Sequence, residues 1–92
     1  MTRDNFEIDA TPEALAYLSE IATKMMRLFP ISREEAVGRI KRSWGGRKQL
    51  RTDTQLLLLF HEEPEYWAKD FYYVKGTRWW HEGEPMVPSD YP

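Results

Sequence analysis

An all-α fold, a small bundle of about four helices ending in an irregular aromatic C-terminal tail, is predicted by three features of this 92-residue sequence. Apolar residues recur at steps of three and four along most of the chain before residue 75. Helix-starting residues stand ahead of each such stretch, and proline and glycine crowd residues 82–92, where they forbid regular structure.

The first helix opens at Thr11-Pro12-Glu13, an N-cap, a proline at the first helical position and an acid in the first turn, each favourable where backbone N–H groups are unpaired. Leu15, Leu18, Ala22, Met25 and Phe29 then mark one face, widened by Ala14, Ile21 and Leu28, until Pro30 stops it. The predicted span is 12–29. In the second stretch, Ser32 with Glu35 three residues later fits a capping box, and Val37, Ile40 and Trp44 follow at helical spacing before Gly45-Gly46, which gives a helix over 32–44 with a basic outer face.

Thr52 with Gln55 repeats the capping pattern ahead of Leu56-Leu57-Leu58-Leu59-Phe60. So short an apolar run fits a buried helix or a buried strand, and the cap with leucine's helix preference favours a helix over 52–61. Pro64-Glu65 opens a fourth helix over 64–75, in which Trp67, Phe71 and Val74 share a face and Lys75-Gly76 supply a basic last turn and a terminating glycine. A hairpin competes there. Phe71-Tyr72-Tyr73-Val74 and Thr77-Arg78-Trp79-Trp80 are rich in strand formers on either side of Lys75-Gly76, although Lys-Gly is a weaker two-residue turn than Asn-Gly. The tail beyond Glu82 is expected to pack through Met86, Val87 and Tyr91.

The whole chain reads as a single domain, 1–92, with 1–11 as an N-terminal arm and 82–92 as an extended tail. With 41% apolar and 30% charged residues it belongs with globular proteins rather than disordered or membrane ones. Cysteine is absent, which excludes a disulfide scaffold. The N-terminus lacks the apolar core of a signal peptide, and the run at 56–60 is far short of the roughly 20 residues that span a bilayer. The expected location is cytoplasmic, with no membrane contact.

Net charge is −2, yet it is unevenly distributed. Residues 1–23 carry one basic and five acidic side chains, residues 24–51 nine basic and two acidic, and residues 52–92 three basic and eight acidic. Arg39, Lys41, Arg42, Arg47, Lys48 and Arg51 thus concentrate positive charge that a solvated face or an acidic partner must relieve. Three partners fit. Nucleic acid is one, with Pro30-Ile31-Ser32 as the turn of a helix-turn-helix, but Glu34 and Glu35 stand at the end that would approach the bases and repel phosphate. The protein's own acidic tail, folding over the basic face or reaching a neighbouring subunit, is the second. An acidic partner protein is the third.

Other motifs point less far. His61-Glu62-Glu63-Pro64-Glu65 starts like a zinc-protease helix, but Glu65 stands where H-E-x-x-H needs its second histidine. His61 and His81 with Glu62 and Glu82 could form a two-histidine carboxylate site, whereas Glu62 and Glu63 have a plainer role beside the start of the fourth helix. Trp44-Gly45-Gly46-Arg47-Lys48 has the ingredients of an anion-binding nest without the spacing of a phosphate-binding loop; a helix end and linker explain both glycines. Tyr66, Trp67, Tyr72, Tyr73, Trp79 and Trp80 supply core, and a share of them fit a contact between copies, since tryptophan and tyrosine anchor interfaces.

The segment His61-Glu62-Glu63-Pro64-Glu65-Tyr66-Trp67-Ala68, continued by Tyr72-Tyr73 and Trp79-Trp80, resembles a pattern in small uncharacterised bacterial proteins, including accessory or mobile-gene proteins. It covers about the last third to half of the chain. The resemblance implies a bacterial cytoplasmic origin and carries no activity, so no site residue follows from it.

The function expected from these readings is a non-enzymatic helical interaction module that self-associates as a homodimer, because no local motif joins a nucleophile, a base and an orienting group. No catalytic residue, metal ligand or cofactor is assigned. The binding residues are Arg39, Lys41, Arg42, Trp44, Arg47, Lys48, Trp79 and Trp80, with an acidic partner protein as a further candidate. The alternatives are a nucleic-acid-binding regulator using residues 39–51 and a small metal- or anion-binding protein.

Overall fold

Four helices follow one another in the computed structural model, which describes residues 6–45, 49–73 and 87–91: α1 at Pro12–Leu28, α2 at Arg33–Trp44, α3 at Asp53–His61 and α4 at Pro64–Tyr72. The fold is predominantly helical, as the periodicity predicts. The only regular strands among the described residues are two-residue segments, β1 at Asp9–Ala10 and β2 at Gln49–Leu50, paired in parallel with Asp9 opposite Gln49 and Ala10 opposite Leu50.

The helix starts follow the cap chemistry. Thr11 Oγ1 accepts the Ala14 N–H at 3.2 Å, and Ser32 Oγ accepts that of Glu35 at 3.1 Å. Thr52 and Gln55 form a complete capping box, each side chain bonded to the other's backbone N–H. At Ser32 only half of the expected box forms. The Glu35 carboxylate turns to Arg39 Nε at 2.9 Å, because a charge-assisted bond to a guanidinium outcompetes a return to a neutral backbone N–H.

α1 is the central helix. Ala14, Leu18, Ile21, Ala22 and Met25 are fully buried, and α1 packs most extensively against α4 and then α2. Ala68 and Phe71 of α4 and Ala36 and Ile40 of α2 close on it. Each large side chain buried here contributes about 1.5–3 kcal/mol. Arg33 ties α2 to α1, donating to Thr23 Oγ1 at 2.5 Å and to the Ser19 carbonyl at 3.2 Å.

The N-terminal arm is part of the core rather than an appendage. Phe6, Ile8 and Ala10 are buried while Glu7 and Asp9 between them are exposed, the alternation of a half-buried strand. Glu7 holds a left-handed φ of 54°, costly for a residue with a Cβ, and its carboxylate lies 3.4 Å from Lys41 Nζ. Gly45 caps α2 where a Cβ would stand 2.5 Å from the Lys41 carbonyl and 3.2 Å from that of Phe6, so close backbone approach demands glycine here.

Two expectations need correction. α4 ends at Tyr72 rather than at 75, because Tyr73 takes extended angles (φ −82°, ψ 159°) and bridges Pro88 in antiparallel fashion; Val74 and most of the alternative hairpin at 71–80 lie outside the described residues. The run at 56–60 is a helix but not a buried one. Of its residues only Leu59 is buried, and Leu57, Leu58 and Phe60 are 69%, 60% and 43% exposed.

Candidate functional site

Two surfaces collect the residues that matter, and the first lies on α2. Arg39, Arg42 and Gly38 sit together there because α2 carries them within about one turn. Arg39 is a charged side chain only 4% exposed. Its Nε donates to Glu35, and its Nη1 to the Tyr72 carbonyl at 3.2 Å and to Ser89 Oγ at 2.6 Å. The guanidinium also lies 4.7 Å from the centre of the Tyr72 ring and 5.4 Å from that of Tyr91. Burial is tolerated because carboxylate, carbonyl, hydroxyl and ring faces all meet the charge.

Arg42 grips the same tail from the solvent side. It donates to the Asp90 carbonyl and, at 3.0 Å, to Ser89 Oγ, and it too lies 5.4 Å from the Tyr91 ring. Ser89 completes the joint: its N–H donates to the Tyr72 carbonyl at 2.9 Å and its Oγ donates to that same carbonyl at 3.0 Å. Gly38 makes room for the tyrosine, since a Cβ there would lie 1.9 Å from Tyr91 Oη. Residues 87–91 therefore lie across α2 and the end of α4 as a bound peptide would. Residues 87–91 do fold over the basic face, meeting Arg39 and Arg42 through the Ser89 hydroxyl and the Asp90 carbonyl.

Placed on this surface, the sequence-derived binding residues take different roles. Arg39 is not an exposed contact residue; its burial under the tail removes it from any phosphate. Lys41 is exposed and paired with Glu7. Arg51 pairs with Asp9 across β1 and β2. Trp44 is half-buried and set edge-on to Trp67 and Phe71, with centroids 5.1 and 4.9 Å away, so it serves the core. Arg47, Lys48, Trp79 and Trp80 lie outside the described residues, as do Gly46 of the glycine motif and His81 of the suggested histidine pair. His61 is exposed with Nε2 3.7 Å from Glu62. Among the described residues no three histidine, cysteine, aspartate or glutamate side chains are grouped to hold a metal. No described helix is long and apolar enough to cross a membrane.

The second surface is the outward face of α3. Thr54, Leu57, Leu58 and His61 fall at i, i+3, i+4 and i+7, and all four are exposed, a narrow stripe on one side of the helix. The opposite side is fixed: Leu59 is buried, its carbonyl accepts the Trp67 indole N–H at 2.9 Å, and Phe60 meets the Tyr17 ring edge-on at 5.0 Å. The Tyr17 hydroxyl donates to the Glu62 carbonyl. Burial pushes the Tyr17 phenol above its usual range, with the carboxylates of Glu20, Glu63 and Glu62 adding to the effect. The α3 stripe was in plain sight in the sequence, in four consecutive leucines that cannot all face inward on one helix.

Two concavities flank these elements. A groove of about 560 Å³ runs between α1 and the start of α4, lined by Ser19, Thr23, Lys24, Arg27 and Glu63 among others. A smaller one of about 360 Å³, lined by residues including Arg42, Trp44, Phe71 and Ser89, adjoins the tail. Both mix charge signs or aromatic and polar walls without converging on one chemistry. The chain matches no known family model, no curated protein and no solved structure.

Proposed function

We propose that this protein is a non-enzymatic helical interaction module of the bacterial cytoplasm that self-associates as a homodimer through the outward face of α3. The observation that carries this reading is the exposure of Leu57 and Leu58, 69% and 60%, side by side on a helix whose other face is anchored. Contiguous exposed apolar side chains favour a contact surface in a way that scattered single ones do not. A two-fold axis passing between them sets Leu57 of one copy against Leu58 of the other and Thr54 against His61, so the stripe is its own complement.

Covering four leucines gains on the order of 4–8 kcal/mol gross, which the roughly 4–15 kcal/mol cost of association largely offsets. The dimer expected from this face alone is weak and forms only at high protomer concentration. The nucleic-acid reading gains no support from α2, whose described cations already have partners: Arg33 on Thr23 and Ser19, Arg39 on Glu35 and Ser89, Lys41 on Glu7, Arg42 on the tail.

Light scattering across a dilution series at low and high salt tests the reading. A mass that rises from one chain to two with concentration, and that high salt does not lower, is the expected outcome, because an apolar contact is not screened. A single-chain mass at every concentration would refute it.

A further inference from the structure

Two guanidiniums converge on the hydroxyl of Ser89. Its Oγ accepts from Arg39 Nη1 at 2.6 Å and from Arg42 Nη2 at 3.0 Å, and it donates to the Tyr72 carbonyl at 3.0 Å. Among the described residues the only carboxylate within ion-pair distance of either arginine is that of Glu35, 2.9 Å from Arg39 Nε. Arg42 meets the Ser89 hydroxyl, the Asp90 carbonyl and the Tyr91 ring, all of them uncharged. The joint thus sets two positive charges against one negative, and the surplus is aimed at a hydroxyl oxygen.

We propose that Ser89 is a phosphorylation site and that the Arg39–Arg42 pair is the seat of its phosphoryl group, which clamps residues 87–91 to α2 of the same chain. In the transfer, Ser89 Oγ attacks the γ-phosphorus of ATP, its proton passes to a base of the kinase, and the bond to the bridging oxygen breaks to release ADP. The product brings about −1.5 to −2 charge at pH 7 and three acceptor oxygens, the partner that arginine forks take best. Arg39 is closed off from a phosphate arriving in solution, but one carried on Ser89 is delivered to it. The esterified Oγ no longer donates to the Tyr72 carbonyl; that carbonyl keeps the Ser89 N–H at 2.9 Å and Arg39 Nη1 at 3.2 Å. Ser89 itself is half-buried between exposed neighbours, Val87, Pro88, Asp90 and Tyr91, and a segment held by so few apolar contacts opens locally at far less than the cost of global unfolding. A phosphoryl group placed opposite arginines orders its segment, whereas one placed beside acids would release it. The site lies on α2 and the end of α4, so it does not depend on the α3 contact.

The test uses the full chain with phosphoserine incorporated at position 89 during synthesis, beside the unmodified chain and an Arg42→Ala chain carrying the same phosphoserine. Phosphorus NMR follows the second ionisation of the phosphate, folded and in urea. In the folded chain it should fall on the order of one unit below its ordinary value of about 6, because two guanidiniums favour the dianion. By linkage, hydrogen exchange at the Ser89 amide should then slow on the order of tenfold relative to the unmodified chain. A lowered folded value gives protection that is present above about pH 6 and fades as pH falls through the folded value. Arg42→Ala should lose most of both effects while keeping its helicity. An ionisation at the same pH in the folded and urea-unfolded chains would overturn the proposal, as would a Ser89 amide that exchanges as fast as in the unmodified chain or faster. Gains that survive Arg42→Ala in full would equally overturn it, since the arginine pair would then not be the seat.

Discussion

α2 and α3 carry the two strongest surface signals in this sequence, one of charge and one of hydrophobicity, and the structure treats them in opposite ways. The cations of α2 are closed in: a carboxylate, carbonyls, a hydroxyl and two tyrosine rings meet Arg39 and Arg42. Leu57 and Leu58 of α3 are left open. The difference teaches that a block of like charge can be relieved by the chain's own polar backbone, which lies within reach of any long arginine. Excess apolar surface has no such internal remedy once the core is full, and only another surface can cover it.

The largest effect that sharpens this contrast lies within α3 itself. Leu59→Ala is expected to lower stability by about 2–5 kcal/mol through the cavity it leaves, whereas Leu58→Ala should change the stability of the monomer by no more than about 0.5 kcal/mol. Urea titrations in dilute solution measure both, and equal losses would mean that the two faces of α3 are not distinct.

The next contrast lies within α2. Arg39→Ala removes a buried cation from a carboxylate, a carbonyl and a hydroxyl and should cost about 2–3 kcal/mol; the freed Glu35 can then return to the Ser32 cap, which limits the loss. Arg42→Ala, at the exposed end of the same joint, should cost less than about 1 kcal/mol. Thermal unfolding of the two variants gives the order directly. A larger cost for Arg42 would place the weight of the joint on the wrong arginine.

Gly38→Ala separates helix from tail. Alanine favours a helix over glycine by about 1 kcal/mol, so α2 should gain while the Tyr91 ring is driven from its seat. Hydrogen exchange at the Ser89 amide is expected to quicken by at least several-fold with no loss of helicity by circular dichroism. Unchanged protection of that amide would show that the tail does not depend on the gap at Gly38.

The smallest effect is a pH dependence. Burial raises the phenol pKa values of Tyr17, Tyr66 and Tyr73 above 10.0, with nearby carboxylates adding at Tyr17 and Tyr66 and Tyr72 adding at Tyr73. The folded state therefore favours the neutral phenol. This contribution is intact below about pH 10 and is lost as pH climbs from there through the raised folded values. Urea midpoints at pH 9, 10 and 11 should fall across that window, and Tyr17→Phe should flatten the fall. A midpoint that rises over the same window has the wrong sign for this account.

Much of this was legible in the sequence. Thr11-Pro12, Ser32, Thr52 and Pro64 mark all four helix starts, because caps are local chemistry and depend little on the rest of the fold. The alternation of Phe6, Ile8 and Ala10 was not legible as a strand, because its partner β2 lies some forty positions along the chain. The burial of Arg39 was not legible, since it depends on Ser89, fifty positions away, and on a glycine one residue earlier in α2. Nor does composition separate Leu59 from Leu58; that needs the helix phase, which Trp67 and Tyr17 fix from other elements.

The most direct test of the open α3 face is sedimentation equilibrium on the wild type beside a Leu57→Ser/Leu58→Ser double variant. The account predicts a concentration-dependent dimer for the wild type and a monomer for the variant over the same range, with helicity and unfolding midpoint of the dilute protein unchanged. A variant that dimerises as readily as the wild type would contradict it, and would return the contact to another part of the chain.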